Sequence, residues 1–426
     1  VLSAVLFLAT PLSGVCTVRA AEPPALPAAP VPAAPLDLAA CLNMALERQP
    51  RIAAARASLA AAEDGKQALD NLLLAPLIDP EIPVRRKQAC LGVTAAAAAL
   101  EQAEHETVYA VTRTYYTALY AREQELVARS VVNRLTAIND TTRRAVEGGA
   151  RNATLTDVNR TTVYLRLAQT QQYKAAQGVQ RALIALREAI GLGPDCGIGV
   201  PEGRLPVLNA HPDRHDVVAQ ALARRGELVQ AGIFSEETCL EVEAQATSLR
   251  KRVETFAAGA DIHSRQIPQG EHNDDYRPGG ITPEMPTLLA GCRHDRVRHA
   301  RDLHARAESM VEGTRNLIAL EAEDAFLRWE EASQEVAAAR DAVTAGDQLA
   351  DDLDKDFTAK ANVRVDEVVS ARVLASQARS RYNEALYRQI LALADIERAT
   401  AGGVCAGLAE LAGVKAQPAG AGGETK

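Results

Sequence analysis

From Ile318 to Ala350 the chain sets a small or apolar residue at every third or fourth place: Ile318, Ala322, Ala325, Trp329, Ala332, Val336, Ala339, Val343, Gly346 and Ala350. Alternating steps of four and three trace one stripe along an α-helix, a heptad seam that follows a partner helix. Small residues dominate the seam, so two backbones can approach closely. A second stripe follows at Val368, Ala371, Ala375, Ala378, Tyr382 and Ala385. An amphipathic helix on a globular core would show a similar stripe, but it needs bulky side chains to pack on. Here they are scarce, with 5 Phe, 9 Tyr and 1 Trp in 426 residues. The composition predicts long helices packed side by side rather than two or three globular domains.

The pattern occurs twice. MALERQPRIAAA (44–55) aligns with QALARRGELVQA (220–231) at an offset of 176. Gln124-Glu125-Leu126 aligns with Gln334-Glu335-Val336, Tyr116 with Phe326, and Asp157-Val158 with Glu367-Val368, each at an offset of 210. Fixed order at a steady offset is a signature of duplication. The change of offset places about 34 extra residues between the early and the long helices of the second half. Each half then reads as a short helix, an irregular insert, a very long helix, a tight turn and a return helix. The inserts fall at about 72–93 and 256–295. The first hairpin is expected to run from about Val93 to Glu147 and back from about Asn152 to Gly191. Its turn is Gly148-Gly149-Ala150, where glycine takes positive φ readily. The descending helix would be roughly 80 Å long at 1.5 Å per residue. The second turn is expected around Thr358 to Asn362.

Residues 1–20 read as a secretory signal: an apolar stretch without a charged n-region, then Val18-Arg19-Ala20 as a small-residue cleavage pattern. The segment 21–36 is a tether, since EPPALPAAPVPAAPL carries six prolines that fix φ and lack an amide donor. The first repeat then occupies 37–200, the second 201–403, and a flexible tail 404–426. Six cysteines follow the signal, far apart and without a CxxC pair, so a zinc site is not expected. Export permits disulfides, and Cys90 with Cys292, or Cys196 with Cys405, occupy equivalent repeat positions. A net charge of -8 argues against a nucleic-acid partner, which would want a basic face.

Catalytic constellations are not legible. The chain has no GxxxxGK[ST] loop, no HExxH and no GxSxG. His294, His299 and His304 are spaced by five, which does not place them on one helix face as metal ligands at i and i+4 would be. No cofactor is expected. Acids gather at the second hairpin turn: Asp351, Asp352, Asp354, Asp356, Asp366 and Glu367. Asp366 and Glu367 suit the positive N-terminal end of the return helix. Asp351 to Asp356 sit at the wrong end of the descending helix for that explanation. An acidic ring at a pore mouth, favouring cations, is the functional reading.

Four segments, taken in order, resemble the TolC-like outer-membrane efflux protein family. They are LDLAACLNMALERQPRIAAARASLAAAE (36–63), YYTALYAREQELV (115–127), ARRGELVQA (223–231) and FTAKANVRVDEVVSARVLASQARSRYNEAL (357–386). The similarity spans roughly residues 36–402. It implies a mainly α fold of duplicated antiparallel hairpins that form an α-barrel tunnel. It also implies short strand inserts in a shared β-barrel and a homotrimer in the outer membrane that extends into the periplasm. Its partners would be a periplasmic adaptor protein and an inner-membrane pump, with no enzymatic activity in this chain. By the same resemblance Asp366 and Glu367 line the pore constriction. Gly148, Gly149, Arg151, Lys360 and Asn362 form the adaptor-facing tips.

The chain departs from the family in two places. Lys360 stands where the family has a tip glycine. The first insert holds three prolines and the basic run Arg85-Arg86-Lys87, and hardly accommodates two spanning strands of about 9–11 residues. Phe256 to Ile267 and Met285 to Cys292 are the best strand candidates. Two alternatives follow: a periplasmic coiled-coil bridging protein without a pore, and an enzyme built on a helical bundle.

Overall fold

The computed structural model describes residues 35–72, 79–149, 154–248 apart from 195, 202 and 209, 252–254, 288–358, 363–404 and 408. The signal segment, most of the proline-rich tether, and the tip residues Arg151, Lys360 and Asn362 lie outside them. In chain order the helices are α1 (Leu38–Arg48), α2 (Pro50–Asp70), α3 (Ile82–Glu147) and α4 (Leu155–Ile190). They are followed by α5 (Arg214–Arg224), α6 (Gly226–Thr247), α7 (Arg293–Thr358) and α8 (Val365–Ala399). Strands β1 (Arg252–Glu254) and β2 (Leu288–Ala290) lie between α6 and α7 and pair antiparallel, with Val253 opposite Leu289.

The second four helices repeat the first four. α1 and α5 have 11 residues each, α2 and α6 have 21 and 22, α3 and α7 have 66 each, and α4 and α8 have 36 and 35. A 66-residue helix is about 100 Å long. The wall of the molecule is a row of four long helices. α3 packs on α4 and on α8, and α8 packs on α7. The shorter α1, α2, α5 and α6 lie against this row.

Local chemistry sets the helix ends. Asp37 accepts the Ala40 amide at 2.8 Å, and Asp213 accepts the amides of His215 and Asp216. Thr154 and Asp157 form a reciprocal capping box at the start of α4. Gly191 ends α4 at φ 80, and a side chain there would strike the Arg48 carbonyl. The α7–α8 seam follows the small-residue stripe. Ala322, Ala325, Ala332, Ala350, Ala371 and Ala375 are buried, and a Cβ on Gly346 would come 3.2 Å from the Ala375 Cα.

Two expectations need correction. The long first helix begins at Ile82, not near Val93, so most of the first insert is helix and not strand. Pro83 lies in the first turn of α3, where its missing amide costs nothing. Arg85, in the basic run, pairs with Glu81 at 3.2 Å and with Glu241 of α6. In the second insert, β2 falls within the expected Met285 to Cys292 strand, but β1 precedes the expected Phe256 to Ile267, which lies outside the described residues. Several of the scarce large side chains collect together. Tyr115, Tyr116, Leu119, Leu186, Ile190, Ile390 and Leu393 gather with Leu38, Cys41 and Leu42 in one belt at the waist. Leu408, inside the expected tail, is buried in the same belt.

Candidate functional site at the hairpin tips

α3 runs down to Gly148 and Gly149, and Gly149 takes φ 70, the left-handed conformation that closes the turn. The first hairpin therefore turns where the two glycines predict. The return helices α4 and α8 start side by side. Asp157, Arg160, Thr161 and Tyr164 of α4 face Val365, Asp366 and Val369 of α8 across a small cleft. The Thr154 hydroxyl, first among several donors and cations, holds the Asp157 carboxyl below its ordinary range.

Asp366 does not stand free at the tip. It pairs with Arg160 of the other hairpin at 3.5 Å and with Arg364 at 3.2 Å. Glu367 accepts the Arg364 amide at 3.4 Å and caps α8. The two acids thus have different local jobs: one bridges the halves, the other ends a helix. Beneath them Asn139 accepts the hydroxyls of Thr161 at 2.8 Å and Thr162 at 3.1 Å, fixing α4 against α3.

The acids of descending α7 have a third role, which neither sequence reading contained. Arg372 of α8 pairs with Asp354 and, at 3.1 Å, with Asp351; Arg379 pairs with Asp347. The antiparallel register sets Arg372 against Asp354 and Arg379 against Asp347, one heptad apart on both helices. That spacing was the signal available in the sequence. These are cross-hairpin ion pairs, so the unfavourable helix-end position of the acids is offset by arginines of the neighbouring helix. Arg160 was also missed, and its position one turn into α4 gave no signal by itself.

The two hairpins join above the tip. Gln124 and Ser380 exchange hydrogen bonds of 2.7 and 3.2 Å, the Thr117 and Tyr387 hydroxyls are 2.7 Å apart, and Tyr120 stacks on Tyr387 at 4.5 Å between centroids. Between α3, α7 and α8 lies an open groove of about 520 Å³ with Leu126, Val131 and Val373 among its lining and Arg134 and Arg204 on it. The outer edges of the row carry exposed large apolar side chains, with Leu167 60% and Tyr173 70% exposed on α4 and Leu327 49% and Leu349 44% on α7.

His294, His299 and His304 lie along α7, and His304 Nδ1 is 3.3 Å from the Thr238 hydroxyl. Among the described residues no group of three His, Cys, Asp or Glu side chains could hold a metal. Cys41, Cys90, Cys196, Cys239 and Cys292 are free thiols, so Cys90 and Cys292 are not bonded to each other. Cys405 lies outside the described residues. Among these residues no helix is long and apolar enough to cross a membrane.

No protein-family model and no curated protein matches the chain. Solved structures do. The open state of the MtrE outer membrane channel of Neisseria gonorrhoeae shares 14% identity, covers 86% of this chain and 89% of its own, and superposes with a TM-score of 0.66. The outer membrane protein VceC of Vibrio cholerae gives 13% identity, 86% and 96% coverage, and 0.67. The CmeC outer membrane channel of Campylobacter jejuni gives 11%, 86% and 86%, and 0.65. The architecture of duplicated hairpins, the helix row and these superpositions lead to one conclusion: this chain has the fold of the TolC-like outer-membrane channels.

Proposed function

We propose that this chain is the outer-membrane channel component of a tripartite efflux or type I secretion system, a passive duct across the periplasm for small molecules or proteins. The observation that carries the reading is the row of four long helices with two open, apolar-studded edges. An edge of α4 against an edge of α7 in the next copy is a heterologous contact, which closes into a ring when the rotation allows it. Three copies give a twelve-helix tunnel. The channels with the same fold support this reading. The chain performs no chemistry of its own; an inner-membrane pump supplies the energy, and a periplasmic adaptor meets the tips at 148–151 and 358–362. Residues 1–20 direct export, and 21–36 form the tether.

Asp366 and Glu367 mark the constriction. The Arg160–Asp366 pair is the clasp between the hairpins, and opening is a splaying of α4 from α8. The test is conductance in planar bilayers. Replacing Asp366 and Glu367 together by Ala is expected to raise it, and unchanged conductance removes the assignment. The bridging protein without a pore is the competing reading, favoured by the short first insert. Membranes of the native host washed with alkaline carbonate separate the two: retention supports the duct, and release into the soluble fraction supports the bridge.

A further inference from the structure

The two halves match helix for helix, yet α2 and α6 are covered to different degrees. α6 packs on α7 of its own half and also on α3 of the other half, whereas α2 packs on α3 and touches α1. Ten of the 22 residues of α6 are buried, but in α2 only Ile52 of 21 is, so α2 has a face with nothing on it.

The repeat shows which faces correspond. Arg86 of α3 donates to the Leu72 carbonyl at 3.0 Å, and Arg296 of α7 donates to the Ser248 carbonyl at 3.2 Å. Arg86 and Arg296 are 210 positions apart, Leu72 and Ser248 are 176 apart, and these are the two offsets of the duplicated sequence. α6 meets α3 at a few definite points. Gln88 donates to Glu241 at 3.1 Å and to the Glu237 carbonyl at 3.0 Å, Gln230 donates to Gln102 at 3.0 Å, and a Cβ on Gly226 would stand 3.4 Å from the Gln102 Cβ. The corresponding positions are Arg298 and Glu312 on α7, and Pro50, Ala54, Ala61 and Gly65 on α2. All six are exposed. The faces that cover each other in one pair of helices are bare in the other pair.

The bare faces fit each other in size and in charge. Where α6 brings Glu237 and Glu241 to the contact, α2 has Ala61 and Gly65, which leave room for the long side chains of Arg298 and Arg301 on α7. In the transferred register Arg298 lies level with Ala61 to Gly65, beside Asp64, and Glu312 lies level with Pro50, beside Arg48. Asp64, Arg48 and Arg301 are exposed, and Arg298 meets the exposed Asp295 of its own helix at 3.3 Å. Arg224, which corresponds to Arg48, already lines one cleft with Gln102, which corresponds to Glu312. Charges of opposite sign placed at matching levels fix the register of a contact.

We infer that α2 of one copy packs on α7 of the next copy in the register by which α6 packs on α3 within the chain, with Arg48 paired to Glu312 and Asp64 to Arg298. The occupant of the bare face is thus a second copy of this chain. This contact rests on the ring of copies proposed above, extends its α4–α7 edge away from the tips, and sets a register that the ring by itself leaves open. Pro50 carries a Cβ where α6 has a glycine, so α2 stands a few tenths of an ångström further from its second long helix than α6 does.

The test is disulfide crosslinking of the full chain in membranes of the native host, after the accessible native cysteines are replaced by Ser. Cysteines bridge when their Cβ atoms are about 3.5–4.5 Å apart, which positions 50 and 312 satisfy in the inferred register. Chains carrying Pro50→Cys are co-expressed with chains carrying Glu312→Cys and oxidised with copper phenanthroline, so that any bridge joins two copies. The expected result is a covalent dimer at least tenfold more abundant than when Arg301→Cys, about 16 Å along α7, takes the place of Glu312→Cys. Equal or stronger crosslinking through Arg301→Cys overturns the register. Crosslinking through neither, in a chain whose native mass is that of an oligomer, overturns the inference and leaves the ring standing. A monomeric native mass overturns the ring and the inference together.

Discussion

The upper bundle and the tips use the same kinds of charged residue in opposite ways. In the upper bundle the charges are inside. Arg225, 5% exposed, pairs with Glu227 at 2.7 Å and Glu321 at 2.8 Å, and Glu321 also takes Arg398 at 2.6 Å. Burial alone would push the Glu321 carboxyl up, but the two guanidiniums outweigh it and bring it below its ordinary range. Burial also works against the Arg225 charge, and the Glu227 and Glu321 carboxylates hold it raised. At the tips Arg160–Asp366 and Arg364–Asp366, and further up the hairpin Arg379–Asp347, are exposed to water. Exposed pairs contribute about 0–1 kcal/mol each, whereas removing one partner of a buried pair costs about 3–5 kcal/mol. The upper charges therefore lock one arrangement of helices, and the tip charges can be exchanged cheaply. A fixed collar above a yielding mouth is what the proposed duct would need in order to open.

The sharpest way to break this contrast is Glu321→Leu. It leaves Arg225 and Arg398 buried without their shared partner and is expected to cost about 3–5 kcal/mol, read as a lowered midpoint in urea unfolding. A loss below 1 kcal/mol would mean that the collar is as soft as the mouth.

Glu237 gives the next effect, with a pH signature. Its carboxyl is 2% exposed, both oxygens lack a hydrogen-bond partner, and burial pushes its pKa up to about 8. The folded chain then holds a proton that the unfolded chain releases near its ordinary value. Stability contributed at low pH is lost as pH rises from that value to about 8, by at most about 1.4 kcal/mol per pH unit, and is level above it. Glu237→Gln is expected to flatten this decline and to stabilise the chain at pH 9. An unchanged slope of unfolding midpoint against pH would refute it.

Gly346→Val tests the hairpin between the two regions. The added side chain meets the Ala375 backbone, and a destabilisation of about 1–3 kcal/mol is expected from overpacking. Gly65→Val, on open surface within α2, is the control, and it carries only the small helix-propensity difference that favours Val over Gly.

The smallest effect on stability is predicted at the mouth. Asp366→Asn removes the clasp to Arg160 but costs about 0–1 kcal/mol. Its signature is functional: a rise in conductance with the unfolding midpoint nearly unchanged. A large loss of stability here would place the mouth in the same class as the collar.

Much of the architecture was legible from residues alone because it is periodic. The heptad stripe at Ile318 to Ala350 names the α7 face that α8 covers, since 3.6 residues per turn leaves no other stripe continuous. Gly148-Gly149 marks a turn because glycine tolerates φ of 70. The start of α3 was not legible. Pro80, Pro83 and three basic residues read as a loop until tertiary partners are known, and Glu241 lies 156 positions from Arg85. Likewise, no local pattern tells that Asp351 and Asp354 answer Arg372, or that Asp366 reaches Arg160. Those pairs depend on how two helices are registered and on which hairpin lies beside which.

The sequence by itself determined the helices, their duplication and the small-residue seams, because these follow from short-range periodicity and backbone conformational preference. Only the tertiary structure decided where the few large side chains collect, which charges are buried, and which charges pair across helices. Those outcomes depend on desolvation and on contacts between residues far apart in the chain, and neither is written in any local window.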